Sequence, residues 1–278
     1  MGRKNKIVKL EEGIYQIRYY WLGVAEVYAY LILGKEKGLL IDTCYSVSNI
    51  KDYVKQVTDL PVDVVNTHGH FDHIGGNAQF ERIFLSEKDW MTVKQHSDYD
   101  YIKKMMNHFL KINPVMGVLL KVKRLREEME ASMHIQPVKY RALPECGFFE
   151  LGARKVSFIE TPGHTQGSIC LFDEVSQYFF VGDMSCEEGV LLGFDHSTGV
   201  AEYRESIRKM KYFYEKNHGK VIMPSHHKCP AGNDIFDRYI EVCSDIISGK
   251  LNGKYQDQGM VQGKVVKACN LQIVYQRI

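Results

Sequence analysis

The sequence predicts an α/β fold in which helices are layered on sheets. Two blocks of short apolar runs, rich in β-branched and aromatic residues, are each followed by segments of helical periodicity. The side chains suited to chemistry fall where those runs end, which is where α/β proteins build their sites. The length, 278 residues with 45% hydrophobic and 25% charged, supplies a substantial core.

From the N-terminus, "IYQIRYY" (14–20) and "VYAYLIL" (27–33) read as strands, because such side chains fit a pleated surface. Gly34 to Gly38 forms a turn, and "LLID" is a third strand closing on Asp42. "SVSNIKDYVKQV" (46–57) has helical spacing, with Ser46 or Ser48 as its cap. "VDVVNT" (62–67) is a short buried strand. A histidine-rich turn follows it, and "NAQF" (77–80) is expected to open a helix. Residues 87–140 are rich in Lys, Met and Tyr and carry helical patterns such as "YDYIKKMMNHFLKI" and "VLLKVKRLREEMEASM". Strands return at "RKVSFIET", "SICLF" and "YFFVGD". In "AEYRESIRKMKYFYEK" (201–216), Tyr203, Ile207, Met210 and Tyr214 share one helical face. "KVIMP" is a further strand, "DIFDRYIEVCSDIISG" a helix ended by Gly249, and "KVVKACNLQIVYQRI" a hairpin turning near Asn270. The organisation expected is one domain, 1–278, with a helical insertion at about 87–148.

The formal charge of +2, from 36 basic and 34 acidic residues, gives no broad basic field for nucleic acid or an anionic membrane, although it leaves room for a local patch. "KVKRLR" (121–126) is the one dense cationic cluster, and its alternation with apolar residues reads as a solvated helix face. The N-terminal stretch lacks the apolar region of a secretory signal, and no apolar run is long enough to span a bilayer. Seven scattered cysteines without a CxxC pair read as reduced thiols in a cytoplasmic protein.

The turn "HGHFDH" concentrates His68, His70, Asp72 and His73 within six residues, closed by Gly75-Gly76. Imidazole suits zinc, iron or manganese, and a carboxylate adds a hard anionic ligand. Four such groups exceed what one open catalytic ion needs and point to two adjacent ions. Gly69 is expected to supply conformational freedom to so crowded a turn. Three further strand ends carry His164 ("ETPGHTQGS"), Asp183 ("FFVGDMS") and His226-His227 ("VIMPSHH"). No GxSxG, HExxH, P-loop or Rossmann glycine pattern competes. Cys44 reads as a buried thiol, Ser168 as a strand-start residue, Tyr203 as a packed helix residue and His196 as a solvated loop residue.

In order and spacing, Thr67-His68-Gly69-His70-Phe71-Asp72-His73 with Gly75-Gly76, then Thr161-Pro162-Gly163-His164-Thr165, Gly182-Asp183 and Pro224-Ser225-His226 resemble the metallo-β-lactamase fold superfamily. Within it, the motifs are most similar to glyoxalase II and lactonase-like hydrolases, over about Ile14 to Gly249. The resemblance implies a four-layer αβ/βα sandwich of two mixed β-sheets flanked by helices, with metals at one edge. It implies that His68, His70 and His164 hold one ion, that Asp72, His73 and His226 hold a second, and that Asp183 bridges both. Asp42 matches the aspartate that supports the ligand loop. Two Zn2+ ions are implied, with Mn2+ or Fe2+ as alternatives.

The implied reaction is hydrolysis of a small ester, thioester or lactone by a hydroxide shared between the ions, with Asp72 as catalytic proton shuttle. Two departures stand out. Ser225 replaces the usual glycine, and His227 follows His226, so the last ligand is assigned from its spacing after Pro224. No helical extension with basic residues for glutathione is visible after His226, which argues against a glutathione thioester. The alternatives are a phosphodiesterase of the same fold and a mononuclear iron oxygenase resembling persulfide dioxygenases. The partners expected are a small-molecule substrate, no nucleic acid and no membrane, with a homodimer through the helical insertion.

Overall fold

A computed structural model describes residues 4–22, 25–112, 114–257 and 260–278. They divide into two compact units, Met1–Lys155 and Val156–Ile278.

The first unit holds a seven-stranded mixed sheet. Lys6–Glu11, Ile14–Trp21, Ala25–Leu33 and Gly38–Ile41 pair antiparallel in chain order. Val62–Val65, Ile83–Phe84 and Tyr140–Arg141 then add in parallel. All four residues of Gly38–Ile41 are buried, as expected of an apolar strand inside a mixed sheet. Lys6–Glu11 had not been expected. Its charged residues alternate with half-buried ones at the sheet edge, a pattern with little apolar signal.

Two expectations need correction here. The first helix is only Ile50–Lys55, entered from Asn49 without a side-chain cap, and Ser48 Oγ donates instead to Thr43 O (2.9 Å). "NAQF" forms a single 3-10 turn, Asn77–Gln79, and Phe80 is already extended. The Asn77 amide is committed across the fold, donating to Asn66 Oδ1 (2.8 Å) and Tyr140 Oη (3.1 Å). The helical segment consists of Trp90–His96, Tyr99–Ile112, Pro114–Leu119 and Lys123–Ser132. Ile102, Met105, Met106, Met129 and Met133 are among its buried side chains.

In the second unit, Lys155–Glu160, Ile169–Asp173 and Tyr178–Gly182 pair antiparallel, and Val221–Pro224 adds in parallel beside Tyr178–Gly182. The helices Val200–Lys216 and Ile235–Ile247 pack together, burying Tyr203, Ile207, Met210, Tyr214, Tyr239 and Val242 with Phe179 and Ile222. The tail forms the expected hairpin, Gln262–Ala268 with Leu271–Tyr275. Its two turn residues, Cys269 and Asn270, both have positive φ (50° and 59°), as a tight right-twisted hairpin requires. Gly189–Leu192, expected as loop, is a strand parallel to Leu271–Tyr275.

Candidate functional site

In the first unit, the strand Val62–Val65 runs directly into the ligand loop. Asp42, at the end of the neighbouring strand, organises that loop. It is fully buried, with φ 61°. Its Oδ1 accepts from Thr67 N (2.8 Å), and its Oδ2 accepts from Thr67 Oγ1 (2.8 Å) and His73 Nδ1 (2.9 Å). The hydroxyl of Thr67, donating to Asp42, accepts from His68 Nδ1 (3.0 Å). These bonds place the protons of His68 and His73 on Nδ1 and turn each unprotonated Nε2 the other way. His68 Nε2 lies 3.2 Å from His70 Nδ1, and His73 Nε2 lies 3.7 Å from Asp72 Oδ2. His68, His70 and His73 are all buried.

The same logic recurs in the second unit. His164 Nδ1 donates to Leu191 O (2.8 Å), turning Nε2 toward Asp183 Oδ2 at 3.7 Å. His226 Nε2 lies 3.5 Å from Asp183 Oδ1. Each oxygen of Asp183 thus faces one imidazole. Gly182, with φ 54°, provides the left-handed residue that turns the strand into Asp183.

The distances show what these groups fit. Two ligands about 2.1 Å from a tetrahedral ion sit about 3.4 Å apart, by the geometry of such sites. The four separations, 3.2, 3.7, 3.7 and 3.5 Å, bracket that value. Three are too long for hydrogen bonds. A donor set of imidazole nitrogens and carboxylates, each histidine oriented by a bond at its other nitrogen or by packing, fits a divalent metal.

His227 is placed differently from His226. It is half exposed and pairs with Glu188 Oε2 at 3.2 Å. Ser225 is buried, with its N–H donating to Gly182 O (3.0 Å). Gly69 lies outside the left-handed region, so the expected reason for it needs correction. A Cβ there would sit 3.0 Å from Val93 Cγ2 and 3.1 Å from Val93 N, and the glycine serves a close approach.

Among the remaining candidates, Cys44 is buried, and burial pushes its thiol well up. Tyr203 is buried and donates to Met184 O (2.5 Å). Ser168 Oγ lies 2.8 Å from Thr165 Oγ1. All three are structural, as expected. His196 is not solvated. Its ring stacks on Phe194 (5.1 Å, 9°), and burial, reinforced by His164, lowers it to about 4, so it is neutral at neutral pH.

Two residues beside the ligand loop escaped the sequence reading. Buried Asp89 accepts from Gly69 N (2.8 Å) and fixes the turn between the first two histidines. Buried His96 has its ring 4.2 Å from that of His70 and also contacts Phe71 and Tyr101. Val93 and His96 are three apart on one face of a helix, a signal that could have flagged His96.

Comparison with known families shows where the chain belongs. Residues 22–85 and 117–216, more than half the chain, match the model of the metallo-beta-lactamase superfamily. The chain belongs to the metallo-beta-lactamase superfamily. It is a metallo-hydrolase of that superfamily, and such hydrolases use divalent metals. A relative, the acyl-coenzyme A thioesterase MBLAC2 of Gallus gallus, is 25% identical over 229 residues, covering 78% of each chain. The probable polyketide biosynthesis zinc-dependent hydrolase BaeB of Bacillus velezensis is 21% identical over 189 residues, 66% of each chain. Among solved structures, a metallo-beta-lactamase from Pontibacter korlensis superposes with a TM-score of 0.61 at 15% identity, covering 87% of this chain and all of that one. This last likeness concerns the fold, mixed sheets with helices.

Proposed function

We propose that this metallo-hydrolase cleaves the thioester of an acyl group, with esters and lactones as secondary substrates, using two metal ions. The observation that carries the reading is the paired spacing of the donors: each pair stands at the separation of two ligands on one ion, and His68, His73 and His164 each have their other nitrogen occupied by a hydrogen bond. Under this reading His68, His70 and His164 serve one ion, Asp72, His73 and His226 the other, and Asp183 both, in the division the motifs imply. Zinc is the proposed metal, supported by the zinc-dependent name of BaeB. The thioester assignment draws support from the relative named an acyl-coenzyme A thioesterase.

Bound divalent ions would lower the pKa of water toward neutrality and polarise the substrate carbonyl. The chain's own groups have separate tasks. Asp42 and Thr67 hold His68 and His73 in the tautomer that presents Nε2. Asp72, 17% exposed at its side chain, is accessible enough to accept the proton of attacking water and return it to the leaving thiolate. All seven cysteines are free, which supports a reducing, cytoplasmic setting.

The test is thiol release from acyl-coenzyme A thioesters of graded chain length, beside a lactone and a bis-aryl phosphodiester, before and after chelation. Metal-dependent turnover favouring the thioesters supports the reading. Phosphodiester turnover alone, or oxygen uptake with one iron per chain, overturns it.

A further inference from the structure

From Tyr101 to Arg126 the chain contains no Asp or Glu. Lys103, Lys104 and Lys111 fall in its first half, and Lys121, Lys123, Arg124 and Arg126 in its second. All are exposed. The whole-chain balance of 36 against 34 therefore conceals a segment of a single sign. Lys123 pairs with Glu127 at 3.6 Å, an exposed contact of little worth. Among the described residues, Lys104, Lys111, Lys121, Arg124 and Arg126 make no ion pair.

Apolar side chains stand among these cations. Val115 is 72% exposed, Val118 61% and Val122 53%. Val115 and Val118 share a face of the helix Pro114–Leu119, and Val122 follows in the turn before the helix Lys123–Ser132. Single exposed valines are ordinary, but three at this spacing inside an all-cationic run are not explained by packing.

We propose that this helical segment docks the enzyme on an anionic lipid surface, with the three valines in the headgroup layer and the lysines and arginines on lipid phosphates and carboxylates. Apolar insertion combined with cationic attraction is the chemistry of interfacial helices. The attachment is peripheral: among the described residues, no helix is long and apolar enough to cross a membrane. A nucleic acid would satisfy the cations and leave the valines in water. A second copy would cover the valines while setting one cationic segment against another, which like-charge repulsion disfavours. An anionic bilayer answers both features. The docking requires neither the metal ions nor a particular substrate, so it stands apart from the thioesterase reading.

The test is co-sedimentation of the full chain with phosphatidylcholine vesicles, with and without about a quarter phosphatidylserine, at low and high salt. Binding that needs phosphatidylserine and weakens with salt is expected. K121Q/K123Q/R124Q/R126Q should weaken it about a hundredfold or more, since each of the four surface cations contributes about fivefold. V115S/V118S/V122S should weaken it about threefold or more. Both variants change exposed side chains only, and unchanged thermal melts will confirm their folding. Equal binding to both vesicle types, or no binding by the wild-type chain, overturns the proposal. So does oligonucleotide binding lost in the charge variant without vesicle binding, or a dimer split by the valine variant whose vesicle binding is unchanged.

Discussion

Replacing Asp42 with Asn tests how the ligand loop is built. The substitution is nearly isosteric, and Asn tolerates the left-handed backbone (φ 61°) that would strain most other residues. Its effect is therefore confined to hydrogen bonding and charge. Asp42 accepts three bonds through two oxygens. Asn offers one oxygen and an NH2. With the oxygen at Oδ2, the NH2 confronts the Thr67 N–H, and two donors oppose each other inside the core. With the oxygen at Oδ1, the NH2 faces His73 Nδ1, which can accept only if its proton moves to Nε2, the atom turned toward Asp72. Either arrangement loses at least one charge-assisted bond, worth about 1.5–3 kcal/mol, and weakens the others. The metal-free variant should thus lose about 2–4 kcal/mol in urea unfolding. Metal affinity, read by competition with a chromophoric chelator, should fall about 10–100-fold, because the histidine tautomer is no longer fixed. Affinity within about twofold of wild type would refute the claim that Asp42 sets the tautomers, whatever the stability result.

Other consequences follow from the same geometry. Gly75→Ala would put a Cβ 2.2 Å from Ser46 N and 2.5 Å from Tyr45 C, both backbone atoms that cannot step aside. It should cost about 3 kcal/mol or prevent folding, seen as a loss of urea midpoint or of soluble yield. Glu187 is mostly buried. Burial raises its carboxyl, but the bonds from Arg238 and Gly232 N (both 2.6 Å) outweigh that and hold it below the usual 4.5. The unfolded state then takes up a proton before the native state does, so the stability Glu187 contributes is present above about pH 4.5 and is lost as pH falls through the native value. Glu187→Gln should cost about 2 kcal/mol at pH 7, with the gap to wild type narrowing below pH 4.5. An equal gap at both pH values would contradict the pairing.

The ligand loop was legible in the sequence because its chemistry is local: four donor-type side chains within six residues, directly after an apolar strand. The amphipathic helix 201–216 was legible for a similar reason, since its buried face repeats at helical spacing within one element. What was missed depends on partners distant in the chain. Gly189–Leu192 is a four-residue strand only because Leu271–Tyr275 pairs with it some eighty residues later. Asp89 matters to the loop because Gly69, twenty residues earlier, donates to it, and no pattern near Asp89 announces that. Gly69 itself was correctly noted for the wrong reason. Its φ is not positive, and the constraint is Val93, side chain and backbone, standing against it, which only the folded chain reveals. The cationic cluster 121–126 was visible, but whether the valines beside it faced the core or the solvent was not.

The central claim is that the donor sets hold two metal ions. The most direct measurement is elemental analysis of protein purified without a histidine tag, giving the metal-to-chain ratio for wild type and for His70→Ala. About two zinc ions per wild-type chain, with a clear loss in the variant while the thermal melt of the metal-free protein is preserved, is the expected result. A single iron per chain, or a wild-type ratio unchanged by His70→Ala, would contradict it.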